Sequence, residues 1–265
     1  MKKNFNPSGI FRKISLTMIL FAGIQIYGSG QGITVYQYRH VPADKVAEFI
    51  NRETTYWSKV AEKAMEKGNL TFWAILQKMN GYDLQNSSNF LFVNTYNDID
   101  AAGEVWDPTG AFPGVSMEKM ETGSLSTVTT TAFVMDQHWE QAADAQPEDF
   151  KYLTMIYHTA SDPGQLIELE KNHWAPFIKK AMDEKKTTQV GWGNAVILSP
   201  SGDDVKFNTV SYDIYPSLKE ALATSLADDI VFPEQGLEEI GKIETAQRSS
   251  VIYRLVKVVQ APAGN

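Results

Sequence analysis

The sequence predicts an α+β protein in which a βαββαβ unit occurs twice in tandem, the two units packing their sheets into a barrel. Three observations lead there: the chain repeats itself in register, each copy shows the same order of extended and amphipathic segments, and its central strands are apolar on both faces. The segment 53–68, ETTYWSKVAEKAMEKG, is echoed at 168–186 by ELEKNHWAPFIKKAMDEKK. Glu53, Trp57, Ala64 and Met65 each meet an identical residue 117 positions on, at Glu170, Trp174, Ala181 and Met182. His40 and Asp44 match His158 and Asp162 at 118, Trp73 matches Trp192 at 119, and Tyr96 matches Tyr212 at 116. A register held so closely marks duplication of a compact unit, and two copies are too few for a solenoid.

Taken in order, each copy opens with a run rich in β-branched and aromatic residues, Ile33 to Val41 and Tyr152 to Thr159, closed by Pro42 or by Asp162-Pro163-Gly164; this is a first strand. A helix follows. Its apolar stripe is Val46, Phe49, Ile50, Trp57, Val60, Ala61 and Ala64 in one copy, and Leu166, Ile167, Trp174, Phe177, Ile178 and Ala181 in the other, a three- and four-residue spacing. Two extended runs come next, Leu70 to Met79 with Phe90 to Tyr96, and Gln189 to Leu198 with Val205 to Tyr212, joined by turn-rich segments. A weaker helical stretch (98–106 with 115–122; 216–228 with 234–242) precedes a last strand at Thr129 to Met135 and at Ser250 to Val259. The segment 107–150 reads as loop and linker, with units at 31–145 and 146–265.

That order resembles the ferredoxin-like split βαβ unit, and two such units sharing their free sheet faces resemble the dimeric α+β barrel superfamily, here with both halves fused in one chain. The antibiotic-biosynthesis monooxygenase and NIPSNAP-like branches are the most similar. The resemblance rests on element order, the repeat and the Glu-x-x-x-Trp helix motif over about 31–260. It implies fold more than reaction, since the superfamily includes cofactor-independent oxygenases, haem-degrading enzymes and isomerases.

Lys and Arg number 24 against 32 Asp and Glu. Such an acidic chain repels phosphate backbones and excludes nucleic acid as partner. The cations Lys2, Lys3, Arg12 and Lys13, the apolar run from Ile14 to Tyr27 and Gly28-Ser29-Gly30 read as a signal peptide over 1–30. This predicts a mature terminus near Gln31, a periplasmic or secreted protein and no membrane span after processing. With no Cys in the chain, neither disulfides nor the usual structural zinc ligands are available.

His40 and His158 end the first strands, where a His can act as acid or base near neutral pH or simply hold a turn carbonyl. Glu53 and Glu170 fall on apolar stripes four residues before a Trp. A buried carboxylate there is a functional candidate; a Glu at the stripe's edge would reach solvent. Glu170 and His173 form an E-x-x-H spacing, which without a second His or a four-helix bundle gives no metal site. Trp73, Trp192, Asn94 and Asn208 lie on the central hairpins and are expected to face the space between the sheets. In Gly191-Trp192-Gly193 the glycines leave room for a ligand or for close backbone approach. No nucleophile elbow, zincin motif, phosphate loop or Rossmann fingerprint occurs, and no cofactor is indicated. The expectation is an exported binding or scaffold protein for an apolar or aromatic small molecule, its site between the sheets or at the barrel mouth. The alternative is a cofactor-independent or haem-dependent monooxygenase-like enzyme.

Overall fold

The computed structural model describes residues 32–79, 87–202 and 206–260; the signal peptide expected at 1–30 lies outside them. Eight strands, β1 (Ile33–His40), β2 (Leu70–Lys78), β3 (Phe90–Tyr96), β4 (Thr127–Gln141), β5 (Tyr152–His158), β6 (Gly191–Ser199), β7 (Thr209–Tyr215) and β8 (Ser249–Gln260), close into a barrel in the order β1-β3-β2-β8-β5-β7-β6-β4. Every neighbouring pair is antiparallel. Within the first half the spatial order is 4-1-3-2 and within the second 8-5-7-6; the β2–β8 and β4–β6 ladders join them. Closure removes the exposed edges that two separate sheets would present.

Strand β4 is longer than the sequence pattern suggests. Its Thr-rich start pairs with β1 and its end with β6, so part of the segment expected as linker is a strand that stitches the halves. Twelve of its 15 residues are exposed or half-buried, which erases the alternation that marks a strand in sequence. Strand β7 begins at Thr209; the expected start, Val205, lies outside the described residues.

On the outer face, α1 (Val46–Arg52) and α2 (Ser58–Glu66) flank a π-helical turn at Glu53–Trp57, and α4 (Pro163–Leu169) and α5 (Ala175–Asp183) flank another at Glu170–Trp174. The short α3 (Met117–Met120) and α6 (Leu218–Leu222), and the longer α7 (Glu234–Ile243), complete the set. Asp162 caps α4, accepting from the Gln165 backbone N–H at 3.0 Å, with Pro163 in the first turn where its missing N–H costs nothing. No helix among the described residues is long and apolar enough to cross a membrane.

The core has two layers separated by the barrel wall. Tyr36, Tyr38, Leu76, Leu91, Val134, Met155, Tyr157, Tyr212 and Tyr253 pack inside the barrel. Phe49, Ala61, Trp73, Ile75 and Phe90 pack under the first-half helices, and Ala175, Ile178, Met182 and Trp192 under the second. Trp73 and Trp192 are each 1 % exposed, whereas Trp57 and Trp174, aligned by the helical repeat, are half-buried. The ladders also set equivalence: Tyr38 and Tyr157, 119 apart, bond each other through their hydroxyls at 3.0 Å. At that spacing His158 stands where the first half has Arg39, and Tyr215 where it has Tyr96; the sequence matches of His158 with His40 and of Tyr212 with Tyr96 do not hold in the ladders.

Candidate functional site

The first π-helical turn turns Glu53 and Trp57 toward the sheet. Such turns insert one extra residue into a helix and recur where a side chain must be re-aimed. Glu53 is 3 % exposed. Its Oε1 accepts the Thr122 hydroxyl at 2.6 Å and lies 3.9 Å from Arg39 Nη1, and the Arg39 guanidinium stacks 4.5 Å over Phe92. Burial pushes the Glu53 carboxyl up to about 7, against the pull of Thr122 and Arg39. These groups line a cavity of about 480 Å³ whose aromatic walls are Trp57, Trp73, Phe92, Tyr96 and Trp106. The indoles are fixed: Trp57 donates to the Met120 carbonyl at 2.8 Å and Trp106 to the Tyr96 hydroxyl at 3.0 Å. Asn94 Oδ1, buried on the same wall, has no hydrogen-bond partner among the described residues, a cost that a ligand donor would remove.

In the second half, the corresponding turn is held by buried hydrogen bonds. Glu170, also pushed up to about 7 by burial, accepts from Asn194 Nδ2 at 2.9 Å. His158, 1 % exposed, lies 2.7 Å from Glu244 through Nδ1 and 2.8 Å from Ser211 Oγ through Nε2. Burial lowers its pKa, so a neutral ring donates to Glu244 and accepts from Ser211, and the 4.0 Å approach to Glu170 is no ion pair. Helix α7 lies close over this turn because position 236 is Gly: a Cβ there would come 2.4 Å from the His173 Cβ. The E-x-x-H spacing thus serves packing, and no group of three or more metal-ligating side chains occurs among the described residues.

Two further cavities lie inside the barrel. One, about 300 Å³, is lined by Tyr36, Phe72, Leu76, Asp136, Tyr212 and apolar neighbours; the other, about 710 Å³, by Tyr38, Tyr157, Tyr253 and Phe207. The location expected from sequence therefore holds space, but not the residues expected to line it. Trp73, Trp192, Asn94 and His158 face the helices, because the strand parity is shifted by one residue and a one-residue change turns every side chain over. Asn208 clamps the backbone of Ala160, accepting at 3.0 Å and donating at 2.8 Å, as Asn89 clamps Val41. His40 Nδ1 lies 2.7 Å from the Ser87 carbonyl oxygen, the turn-holding role.

Of the sequence candidates, Glu53, Trp73 and Asn94 meet in one pocket. Arg39, Thr122 and Trp106 join them without a sequence signal, since they come from β1 and from the irregular segment before β4. Gly191 and Gly193 make room for rings: a Cβ would come 2.9 Å from Trp139 and 2.6 Å from Tyr212.

No protein-family profile and no curated protein sequence matches the chain. Solved structures do. A candidate monooxygenase from Lactobacillus acidophilus NCFM superposes with a TM-score of 0.57 at 8 % identity, over 88 % of this chain and 97 % of its own. An anthrone oxidase-like protein gives 0.52 at 10 %, over 89 % and 95 %, and a candidate monooxygenase from Fusobacterium nucleatum subsp. nucleatum 0.52 at 12 %, over 88 % and 96 %. These neighbours are dimeric α+β barrel proteins. The chain has the dimeric α+β barrel fold. At such identities the likeness carries the fold and leaves the reaction open. No His lines the Glu53 pocket or either interior cavity among the described residues, and both nitrogens of His158 are hydrogen-bonded. Burial raises the pKa of Tyr36, Tyr38 and Tyr157.

Proposed function

We propose that the protein binds a planar aromatic small molecule in the Glu53 pocket and moves a proton there. The observation that carries this reading is a carboxyl with a pKa of about 7 facing an aromatic-walled cavity beside an unpartnered Asn94 Oδ1. The indoles offer ring faces to a flat ligand, Asn94 Oδ1 accepts a hydroxyl or amide N–H from it, and Glu53 takes an acidic proton near neutral pH. Arg39 offsets the negative charge that develops. The test is calorimetric titration with hydroxylated and unsubstituted tricyclic aromatics. Asn94→Leu and Trp73→Ala should weaken the hydroxylated ligand most; equal affinities in parent and variants would overturn the reading.

A second reading, oxygenation without a cofactor, is favoured by the likeness to candidate monooxygenases and an anthrone oxidase-like protein. Glu53 would remove a proton from an activated ring CH2, and the carbanion's electron pair would pass to O2. The hydroperoxide formed with the returned proton would lose water to leave a carbonyl, so that CH2 and O2 become C=O and H2O. Oxygen uptake with anthrone, abolished in Glu53→Gln, would support it; no uptake by the parent would remove it.

The two halves are read as duplicated ferredoxin-like units, supported by the shared ladder spacing and strand order. Export after cleavage near Gln31 is proposed from the first 30 residues. Intact mass of the exported protein tests it, and retention of residues 1–30 would overturn it.

A further inference from the structure

The smaller interior cavity lies across the barrel wall from the Glu53 pocket. Ala74, Val93 and Thr95 line it, while their strand neighbours Trp73 and Asn94 line the other. Phe72 and Gln260, paired at one end of the barrel, are among its lining residues, and its volume is about 300 Å³. Phe72, Leu76, Leu153, Met155, Ile214 and Leu255 make most of the wall apolar. At about 30 Å³ per molecule, roughly ten waters would fit, each needing two to four polar partners; this wall offers few. Dry apolar cavities of about half this size accept benzene, so the space suits two fused rings.

One ionisable carboxyl reaches it. Asp136 Oδ2 accepts from Thr34 at 2.8 Å and Oδ1 lies 3.5 Å from the Tyr212 hydroxyl. Burial raises the pKa of Asp136, which favours the acid form, a donor as well as an acceptor. Beside it, the absent side chains at Gly191 and Gly193 let the Trp139 and Tyr212 rings lie against β6, giving the cavity an aromatic wall. Among the described residues no Lys, Arg or His lines it, so an anionic ligand would find no countercharge there.

We propose that the barrel interior is a second ligand site, taking an uncharged molecule of two fused rings that directs one hydroxyl or carbonyl at Asp136. The Glu53 pocket and this cavity share no lining residue, so the site stands whether or not the first reading does.

Calorimetric titration of the full chain with 1-naphthol and naphthalene tests it. Ala74→Trp should fill the cavity and abolish the interior binding event, with Leu255→Phe as a milder block should the first variant fail to fold. Asp136→Asn should weaken 1-naphthol by about tenfold, one hydrogen bond's share, and leave naphthalene unchanged, a split that loss of structure would not give. Binding insensitive to the Ala74 and Leu255 variants, or no binding by the parent, overturns the proposal. Loss of binding only on changing Asn94 or Trp73 does so too, while supporting the Glu53 pocket. Loss of all binding in the interior variants, with Asn94→Leu silent, upholds this site and removes the other.

Discussion

Three carboxyls, Glu53, Glu170 and Asp213, are each pushed up to about 7, in every case chiefly by burial. A carboxyl whose pKa is higher in the folded chain binds more protons there than when unfolded, so its stabilising effect is complete below the ordinary carboxylate value and is lost as pH rises through about 7. At 1.36 kcal/mol per pKa unit each Glu accounts for roughly 3 kcal/mol between about pH 4.5 and 7, and Asp213 for roughly 4 kcal/mol from about pH 3.8 to 7. Urea midpoints should fall from pH 5 to pH 8, and Glu53→Gln should flatten the profile; a midpoint that rises over this interval would contradict the burial. Trp73→Ala and Trp192→Ala should each cost about 3–5 kcal/mol by chemical unfolding. Trp57→Ala should cost less, because its ring is half-buried.

Among the elements, the two π-helical turns begin with buried glutamates; Glu53 lines a cavity, and Glu170 is bonded by Asn194. What differs is the segment laid over the turn. In the first half it is the irregular chain carrying Trp106 and Thr122; in the second it is α7, drawn in by Gly236. Gly236→Ala should lose about 1–3 kcal/mol by overpacking against His173. A double-mutant cycle with His173→Gly should recover most of that loss, and additive effects would show that the contact does not set the helix position. The Asn89 and Asn208 clamps make the same pair of backbone bonds at corresponding corners. Replacing either by Ala should cost about 1–3 kcal/mol for the unpaired backbone groups, and a clear inequality between them would mean that one corner has another support.

At the scale of the whole molecule, closure of the barrel makes each half depend on the other. Residues 32–145 alone would expose Tyr36, Tyr38, Leu76 and Leu91, which the intact chain buries in the barrel, and would leave β2 and the end of β4 without their partners β8 and β6. Such an apolar face drives association. The isolated fragment should therefore dimerise or fail to unfold cooperatively, as seen by sedimentation and thermal circular dichroism. A stable monomer with a sharp transition would mean that each half carries its own sufficient core.

From the sequence came the element order, the equivalence of the helices around Glu53 and Glu170, and the acidic composition; whether those glutamates are buried or reach solvent it left open. Each rests on local periodicity or composition, and periodicity survives in one dimension because a helix or strand repeats its environment at fixed spacing. The tertiary structure alone decided which strand face meets the helices, so Trp73 and Asn94 moved from the expected barrel interior to the Glu53 pocket. It decided that Arg39, rather than His40, occupies the place of His158, because strands and helices keep different spacings between the halves and identical letters can match out of register. It also decided that Glu53 lines a cavity, since that depends on a distant segment laid over the turn. Strand parity is set by pairing across the barrel, and a cavity by what fails to fill it; both join residues far apart in the chain, where no local pattern records them.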